Sequence, residues 1–234
     1  MVEAKQNTFS CVIPCGGNSS RMGGGGNKTL IEVNGKSLLQ HVVEFWRGWH
    51  IENFIFIVSG DGLADVASCV ATMHLDRKPV FINRGDTTNL ALALSLANPY
   101  IDEGFVLALG DCVQSGVFKT TFLPDFGCGV CSNSSYELRK SYLVEASNGV
   151  VTKLTEKPDV DVGLCGMGTW FLPRRIFEYI ARMRLKPQAT SVDLTGALQL
   201  AIKNGERLRA VHFEGDYINV TYPDDIRTAQ EILS

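Results

Sequence analysis

Short apolar runs alternate with segments of helical period along the first half of the chain, and this alternation limits the fold more than any other feature. Residues 8–14, 53–59, 80–83 and 105–109 are brief, β-prone runs without polar interruption, the pattern of strands buried on both faces. Between them, Leu38, Leu39, Val42, Val43 and Trp46 recur at helical spacing within residues 37–46. Residues 65–71 read as a short helix, and residues 89–97 are rich in helix formers and stop at Asn98-Pro99. Strand following helix in this rhythm predicts an α/β fold with a mostly parallel sheet and helices on both faces. In such sheets the site lies beyond the carboxyl ends of the strands. Two loops with chemically useful residues fall there, 15–28 and 110–113.

The second half reads differently. Residues 141–146 and 150–156 form a hairpin pattern, turned at Ser147-Asn148-Gly149, where Asn-Gly is a strong turn signal. A further strand is expected at 163–172, helices at 174–183 and 193–204 with Gly205 as the stop, and strands at 208–214 and 217–220. Pro223, Asp224 and Asp225 open a closing helix over 223–233, with the acids at the positive end of its dipole. No repeat or linker interrupts the chain, so one domain is expected over 1–234.

Composition narrows the function. The 234 residues are 45% hydrophobic, enough for a substantial core, and the formal net charge is −3. That is not the basic footprint of a nucleic-acid binder. No apolar run reaches the length of a membrane span, and the first ten residues lack the apolar core of a secretory signal. A soluble cytoplasmic protein is therefore expected, without nucleic-acid or membrane partners. Seven cysteines, an odd number, read as reduced thiols rather than a disulfide framework. Cys128 and Cys131 form one C-x-x-C, but a zinc site needs two more ligands and His212 is isolated; a plain strand or loop pair is expected.

The segment Val12–Leu30, VIPCGGNSSRMGGGGNKTL, carries the most chemistry. Glycines and small polar residues follow a buried strand, and such a loop can turn backbone N–H groups inward as an anion nest. Gly16 and Gly17 permit close approach to phosphates; Arg21 offers a fork of donors and Lys28 a mobile point charge. A P-loop is excluded, because its glycine positions hold Met22 and Asn27 and residues 29–33 look like a strand rather than a helix. A G-x-G-x-x-G fingerprint is also absent after the first strand.

Cys15-Gly16-Gly17-Asn18-Ser19-Ser20-Arg21-Met22, followed by Asn27-Lys28, resembles the signature of the nucleotidyltransferases that make activated sugars and related alcohols, Ala-Gly-Gly-x-Gly-Thr-Arg-Met/Leu and then Pro-Lys. Ser19 replaces a glycine, Asn27 replaces the proline, and the stretch before Lys28 is short, as in the cytidylyl- and molybdopterin-linked branches. The resemblance continues through Leu30–Leu39, Leu109-Gly110-Asp111, Leu154–Pro158 with its Glu156-Lys157-Pro158, Gly166–Leu172, Val192–Thr195 and Tyr217–Asp224. Asn219 stands where most members carry a second metal-binding aspartate.

The resemblance implies a single-domain, Rossmann-like mixed sheet flanked by helices, of the nucleotide-diphospho-sugar transferase (GT-A-like) type. Its nucleotide-binding half would span about 8–115 and its acceptor half about 116–234. The implied reaction transfers a nucleoside monophosphate from an NTP to a phosphorylated acceptor, with a sugar 1-phosphate leading and Mg²⁺ as cofactor. The backbone from Cys15 and Gly16 through Gly17, Asn18, Ser19 and Ser20, with Arg21, would hold the β- and γ-phosphates, and Lys28 would reach the α-phosphate. Asp111, after Gly110, would ligate Mg²⁺, with Asn219 as second ligand. Asn83, Gly85 and Thr88 fall where the family reads base and ribose, and Asn89 is equally a helix N-cap; the base stays open. Lys157 would grip the acceptor phosphate, Glu156 an acceptor hydroxyl, and Gly168 would border the acceptor. Trp170 and Tyr217 are candidates for the same pocket or for the core. Two alternatives stand beside this reading: a cytidylyltransferase for a non-sugar phosphate or phosphonate such as phosphocholine, and a non-catalytic nucleotide or sugar-nucleotide-binding module.

Overall fold

The computed structural model of the chain describes residues 9–16, 26–120, 125–132, 135–185 and 193–234. In the first half the elements are β1 (Ser10–Pro14), β2 (Glu32–Val33), β3 (Lys36–Ser37), α1 (Leu38–Gly48), β4 (Asn53–Val58), α2 (Leu63–Ala71), β5 (Val80–Asn83), α3 (Leu90–Ser95) and β6 (Gly104–Ala108). Then come β7 (Cys112–Phe118), β8 (Gly127–Ser132), α4 (Ser135–Lys140), β9 (Tyr142–Ser147), β10 (Val150–Glu156), β11 (Leu164–Pro173), α5 (Ile176–Arg184), α6 (Leu194–Lys203), β12 (Arg209–Asn219) and α7 (Pro223–Ile232).

The main sheet runs β5-β4-β1-β6-β11-β8-β12-β10-β9, with β7 on the far half of β12. Strands β5, β4, β1 and β6 are parallel, as the alternation predicts. From β11 onward most pairings are antiparallel, the exception being β8 with β12. The chain leaves β1 toward β4 and β5, then returns to the other side of β1 as β6. This reversal opens a crevice at the carboxyl ends of β1 and β6.

The strands read as unbroken apolar runs because both faces are covered. Val12 and Leu107 face one buried layer with α3, α5 and α6; Cys11, Ile13 and Val106 face the other with α1 and α2. Each fully buried aliphatic side chain contributes about 1.5–3 kcal/mol. Helix α1 starts at a reciprocal Ser37–Gln40 capping box and drives Leu39, Val43 and Trp46 into the second layer.

Two departures from the sequence reading, at residues 29–33 and 208–220, have local causes. Residues 29–33 are not one strand: a 3₁₀ turn, Lys28–Leu30, capped by Asn27, precedes β2. The two strands expected at 208–214 and 217–220 are one strand, β12. Gly215 (φ +138°) faces Gly116 (φ +149°) in β7, and these backbones approach so closely that neither has room for a Cβ. Cys128 and Cys131, three apart on β8, point to opposite faces and lie in different core layers, so they cannot share a metal. Among the described residues no helix is long and apolar enough to cross a membrane.

Candidate active site

The crevice between β1 and β6 gathers the loop ends into one geometry. Asn27 Nδ2 donates to the Cys15 carbonyl at 2.6 Å, fastening the return of the glycine-rich loop to its base. Its Oδ1 accepts from the Thr29 N–H (3.1 Å) and hydroxyl (2.8 Å), which fixes the turn that carries Lys28. Lys28 Nζ then lies 2.6 Å from Asp111 Oδ2, with side-chain exposures of only 11% and 22%. Gly110 makes the approach possible: a Cβ there would meet Thr29 Cγ2 at 2.8 Å and the Pro14 carbonyl at 3.1 Å. The Asp111 carbonyl accepts from Val220 N–H at 3.0 Å, which ties the pair to the end of β12.

Two cavities lie near this pair, and Asp111 lines one of them. One, about 270 Å³, is lined by Gly16, Arg84, Thr88, Ala93 and Asp111. The other, about 220 Å³, is lined by Glu156, Lys157, Gly168, Trp170, Tyr217 and Asn219. Asn89, Leu90 and Leu109 border both, so the cavities are two lobes of one cleft. A third hollow, about 400 Å³, shares Gly16, Arg84 and Thr88 with the first lobe.

The cleft therefore brings Gly16, Thr88, Gly168, Glu156, Lys157, Asp111 and Asn219 onto its walls. Lys28 stands behind Asp111. Cys15 is a correction: its N–H is donated to the Ile57 carbonyl at 2.8 Å, its carbonyl takes Asn27, and its thiol is buried in the core, with a pKa pushed far up by burial. It shapes the loop from below and presents no free group to a ligand. Asn83 accepts the Gly85 N–H at 2.9 Å, and Gly85 (φ +60°) completes a turn at the end of β5. Asn89 caps α3 through the Leu92 N–H at 3.0 Å while bordering both lobes. Gly17, Asn18, Ser19, Ser20 and Arg21 lie outside the described residues.

In the second lobe, Lys157 is exposed and left-handed (φ +43°), and its N–H is held by the Ser141 carbonyl at 2.8 Å. Glu156 Oε1 accepts from the Thr195 hydroxyl at 2.6 Å. Gly168 donates its N–H to the Tyr217 hydroxyl at 2.8 Å, and its missing Cβ leaves room for Cys112 Sγ. Trp170 and Tyr217 do both things considered for them: they are core residues that also line the lobe.

Three contributors carry no sequence motif. Arg84 lies across Gly16, donating to the Gly16 and Thr87 carbonyls. A Cβ on Gly16 would stand 2.6 Å from Arg84 Nε. Glu137 and Lys140 of α4 take the two backbone groups of Asn219: Glu137 Oε2 accepts its N–H at 3.1 Å and Lys140 Nζ donates to its carbonyl at 2.8 Å. Burial pushes the Glu137 carboxyl up from its ordinary range despite the Lys140 bond. Burial also opposes the Asp225 charge, but the Thr221 and Tyr222 N–H groups and Lys140 outweigh it and hold that carboxyl below its ordinary value.

Among the described residues no three His, Cys, Asp or Glu side chains converge as a metal cage. Asp111 offers a side-chain oxygen to the first lobe and Asn219 one to the second. Asn219 Oδ1 accepts from the Thr221 hydroxyl at 3.1 Å, and a carbonyl oxygen keeps a second lone pair.

Comparison with known proteins matches this half of the cleft. Residues 11–115, from β1 through β6 and Asp111 into β7, match the MobA-like NTP transferase domain. Over 226 residues, 88% of this chain and 87% of the relative, the protein is 21% identical to the UTP–glucose-1-phosphate uridylyltransferase AglF of Haloferax volcanii. The solved inositol-1-phosphate CTP transferase of T. maritima superposes with a TM-score of 0.80 at 18% identity, over 97% of this chain and 96% of that one. A UDP-glucose pyrophosphorylase solved with UDP-glucose gives 0.78 at 17% identity, over 95% and 97%. These likenesses show that the fold shared with the two solved structures covers nearly the whole chain.

Proposed function

We propose that the protein transfers a nucleoside monophosphate from an NTP to a sugar 1-phosphate, forming an NDP-sugar and pyrophosphate. The observation that carries this reading is the Lys28–Asp111 pair, whose carboxylate lines the first lobe of a two-lobed cleft. The matched domain and the sugar-phosphate enzymes among its relatives support the same reaction.

An acceptor phosphate oxygen attacks the α-phosphorus in line; the bond from that phosphorus to the bridging oxygen breaks, and pyrophosphate leaves with the electron pair. The nucleophile is already ionised at neutral pH, so alignment and charge neutralisation carry the catalysis. The first lobe takes the nucleotide, with Gly16 beside its phosphates. Lys28, fixed by the Asn27-capped turn, approaches the α-phosphate and stabilises charge as it develops. In the second lobe Lys157 takes the acceptor phosphate, and Glu156, one oxygen bound to Thr195, offers the other to an acceptor hydroxyl. Asp111 and Asn219 fit Mg²⁺, a hard cation that is often held by one carboxylate, substrate phosphates and waters. When bound, it would neutralise phosphate charge between the lobes. An NTP substrate supports a cytoplasmic location for this work.

The test is pyrophosphate release with Mg²⁺, crossing the common NTPs against sugar phosphates and phosphoalcohols, with Lys28→Ala as control. Release that requires one NTP and one sugar 1-phosphate, and fails in the variant, supports the proposal. Release only with a phosphoalcohol or phosphonate would replace the sugar as acceptor. No release from any pair, with NTP binding retained, would leave a binding module.

A further inference from the structure

Arg84 stands across the first lobe from the reacting pair. The sheet order there is β5-β4-β1-β6. Asp111 lies beyond the end of β6, whereas Arg84 follows β5 and donates its own N–H to the Val58 carbonyl of β4 at 2.9 Å. Three strand spacings, roughly 14 Å, separate the two strand ends. An extended nucleotide covers such a width from its α-phosphate to the far edge of its base. The guanidinium is held by the Gly16 and Thr87 carbonyls. Those bonds leave three of its five N–H donors without a partner among the described residues. The side chain is half-buried and lines both the first lobe and the third hollow. Ile57, at the end of β4, and Ala93, on α3, are buried and give the lobe apolar walls. The third hollow carries Asp61 and Asp65 beside Arg84. Two carboxylates against one guanidinium disfavour a triphosphate tail here, whereas apolar walls and a fixed fork of donors suit an uncharged heterocycle.

We propose that Arg84 reads the nucleobase, selecting an NTP whose base carries a ring carbonyl oxygen and rejecting ATP. This inference rests on the reading that the first lobe holds an NTP, and it names the class of base. A guanidinium donates and never accepts. Guanine offers it O6 and N7, and uracil and cytosine each offer a ring carbonyl. Adenine has no carbonyl, and a fork facing its edge meets the N6 amino donor where guanine has an oxygen. Donors left unpaired in a partly closed site are costly. A site built to hydrogen-bond one substrate therefore rejects the analogue lacking that group more strongly than an apolar pocket does. Gly16 serves the same end: a Cβ there would meet Arg84 Nε at 2.6 Å, so glycine lets the guanidinium lie across the loop.

The full chain and its variants would be titrated calorimetrically with ATP, GTP, CTP and UTP. Urea unfolding and pyrophosphate release would be measured beside the titrations. The parent is expected to bind ATP about tenfold or more weakly than the best of the other three. Arg84→Ala is expected to lose about tenfold in affinity for that best NTP, the scale of one charge-assisted hydrogen bond, and almost nothing for ATP, so that the preference collapses. Arg84→Gln is expected to bind ATP more tightly than Arg84→Ala does, because a glutamine amide accepts from N6 and donates to N7 of adenine. A guanidinium that held phosphates would instead weaken all four NTPs by one common factor. A merely structural Arg84 would shift the urea midpoint and leave the ratios as they were. Either result would overturn the proposal, as would a parent that prefers ATP or binds no NTP. Should Arg84→Ala fail to fold, Arg84→Gln against the parent makes the same comparison of ratios. Selective binding in a protein that releases no pyrophosphate would uphold the proposal and count against the transfer reaction alone.

Discussion

Lys28 Nζ stands 2.6 Å from Asp111 Oδ2 across 83 residues of sequence, and Asp111 lines the first lobe of the cleft. A pair that acts as one device gives non-additive losses. Lys28→Ala and Asp111→Ala are each expected to lower turnover about a hundredfold or more, the scale for one preorganised charge stabiliser. The double variant should fall little below the worse single. Steady-state pyrophosphate release checks this; near-parental turnover in either single variant would remove that residue from the mechanism.

Gly16 and Arg84 make a second coupled pair. Arg84 is half-buried, rests on two backbone carbonyls, and lines the first lobe over Gly16. Arg84→Ala is expected to raise the KM for the nucleotide roughly tenfold, the scale of one charge-assisted hydrogen bond, with kcat less affected. Gly16→Ala would displace the same guanidinium, since its Cβ falls 2.6 Å from Nε. It should mimic the Arg84 change while costing about 1 kcal/mol or less in stability, because a flexible side chain can move aside. A Gly16→Ala protein with unaltered nucleotide KM would contradict the assignment.

Gly116 and Gly215 are a backbone contact. A Cβ on Gly116 would lie 2.1 Å from the Glu214 carbonyl, and one on Gly215 would lie 2.1 Å from that of Ser115. Backbone cannot yield as Arg84 can, and both positions also have positive φ. Either glycine changed to alanine should lose roughly 2–4 kcal/mol of stability. Urea unfolding midpoints decide it; a loss under about 1 kcal/mol would mean that the two strands separate without strain.

These pairs also show what the chain discloses before it is folded. Strands β1, β4, β5 and β6 were legible because burial on both faces leaves uninterrupted apolar runs. The hairpin of β9 and β10 was legible because Asn148 (φ +51°) and Gly149 (φ +73°) meet the demand of a tight turn. Only the start of strand β7 falls in the loop expected at 110–113, and the rest gives no signal, because Gln114, Ser115 and Gly116 break its apolar pattern and its partner lies about a hundred residues on, in a strand that reads as two. Helix α4 was too short and too polar for a period to show, yet it supplies Glu137 and Lys140. Lys28, Asp111 and Lys157 were found from a family signature with fixed order. Arg84 was invisible, because its role depends on a side chain crossing to a glycine 68 residues away.

Cysteine reactivity should follow burial. Cys11, Cys15, Cys112, Cys128, Cys131 and Cys165 are buried and Cys69 is only half-buried, beside the Ser37 hydroxyl at 3.2 Å. Burial pushes Cys128 up to about 12, and burial with the nearby Asp111 charge raises Cys112 well above its ordinary value. Thiolate is the reactive form, so these groups stay inert through mildly alkaline pH. Iodoacetamide on the folded protein at pH 8 should label Cys69 alone, as read by peptide mass spectrometry. Fast labelling of Cys112 would show that the floor of the second lobe opens.

A last pair tests stability against pH. Arg175 donates to both carboxylate oxygens of Glu206, at 2.8 and 3.0 Å, and Tyr179 adds a hydroxyl bond at 3.0 Å. Arg175 holds the Glu206 carboxyl below its ordinary range, against some opposition from burial. A depressed carboxylate stabilises the fold above its unfolded value, about 4.3, and loses that contribution as pH falls through the folded value. Arg175 is 39% exposed, so solvent screening limits the effect to about 1 kcal/mol or less. Glu206→Gln should therefore lower the urea midpoint slightly at pH 7, keep that deficit down to about pH 5, and converge with the parent near pH 3. A deficit that persisted undiminished at pH 3 would assign the loss to packing on Tyr179 rather than to the charge of Glu206.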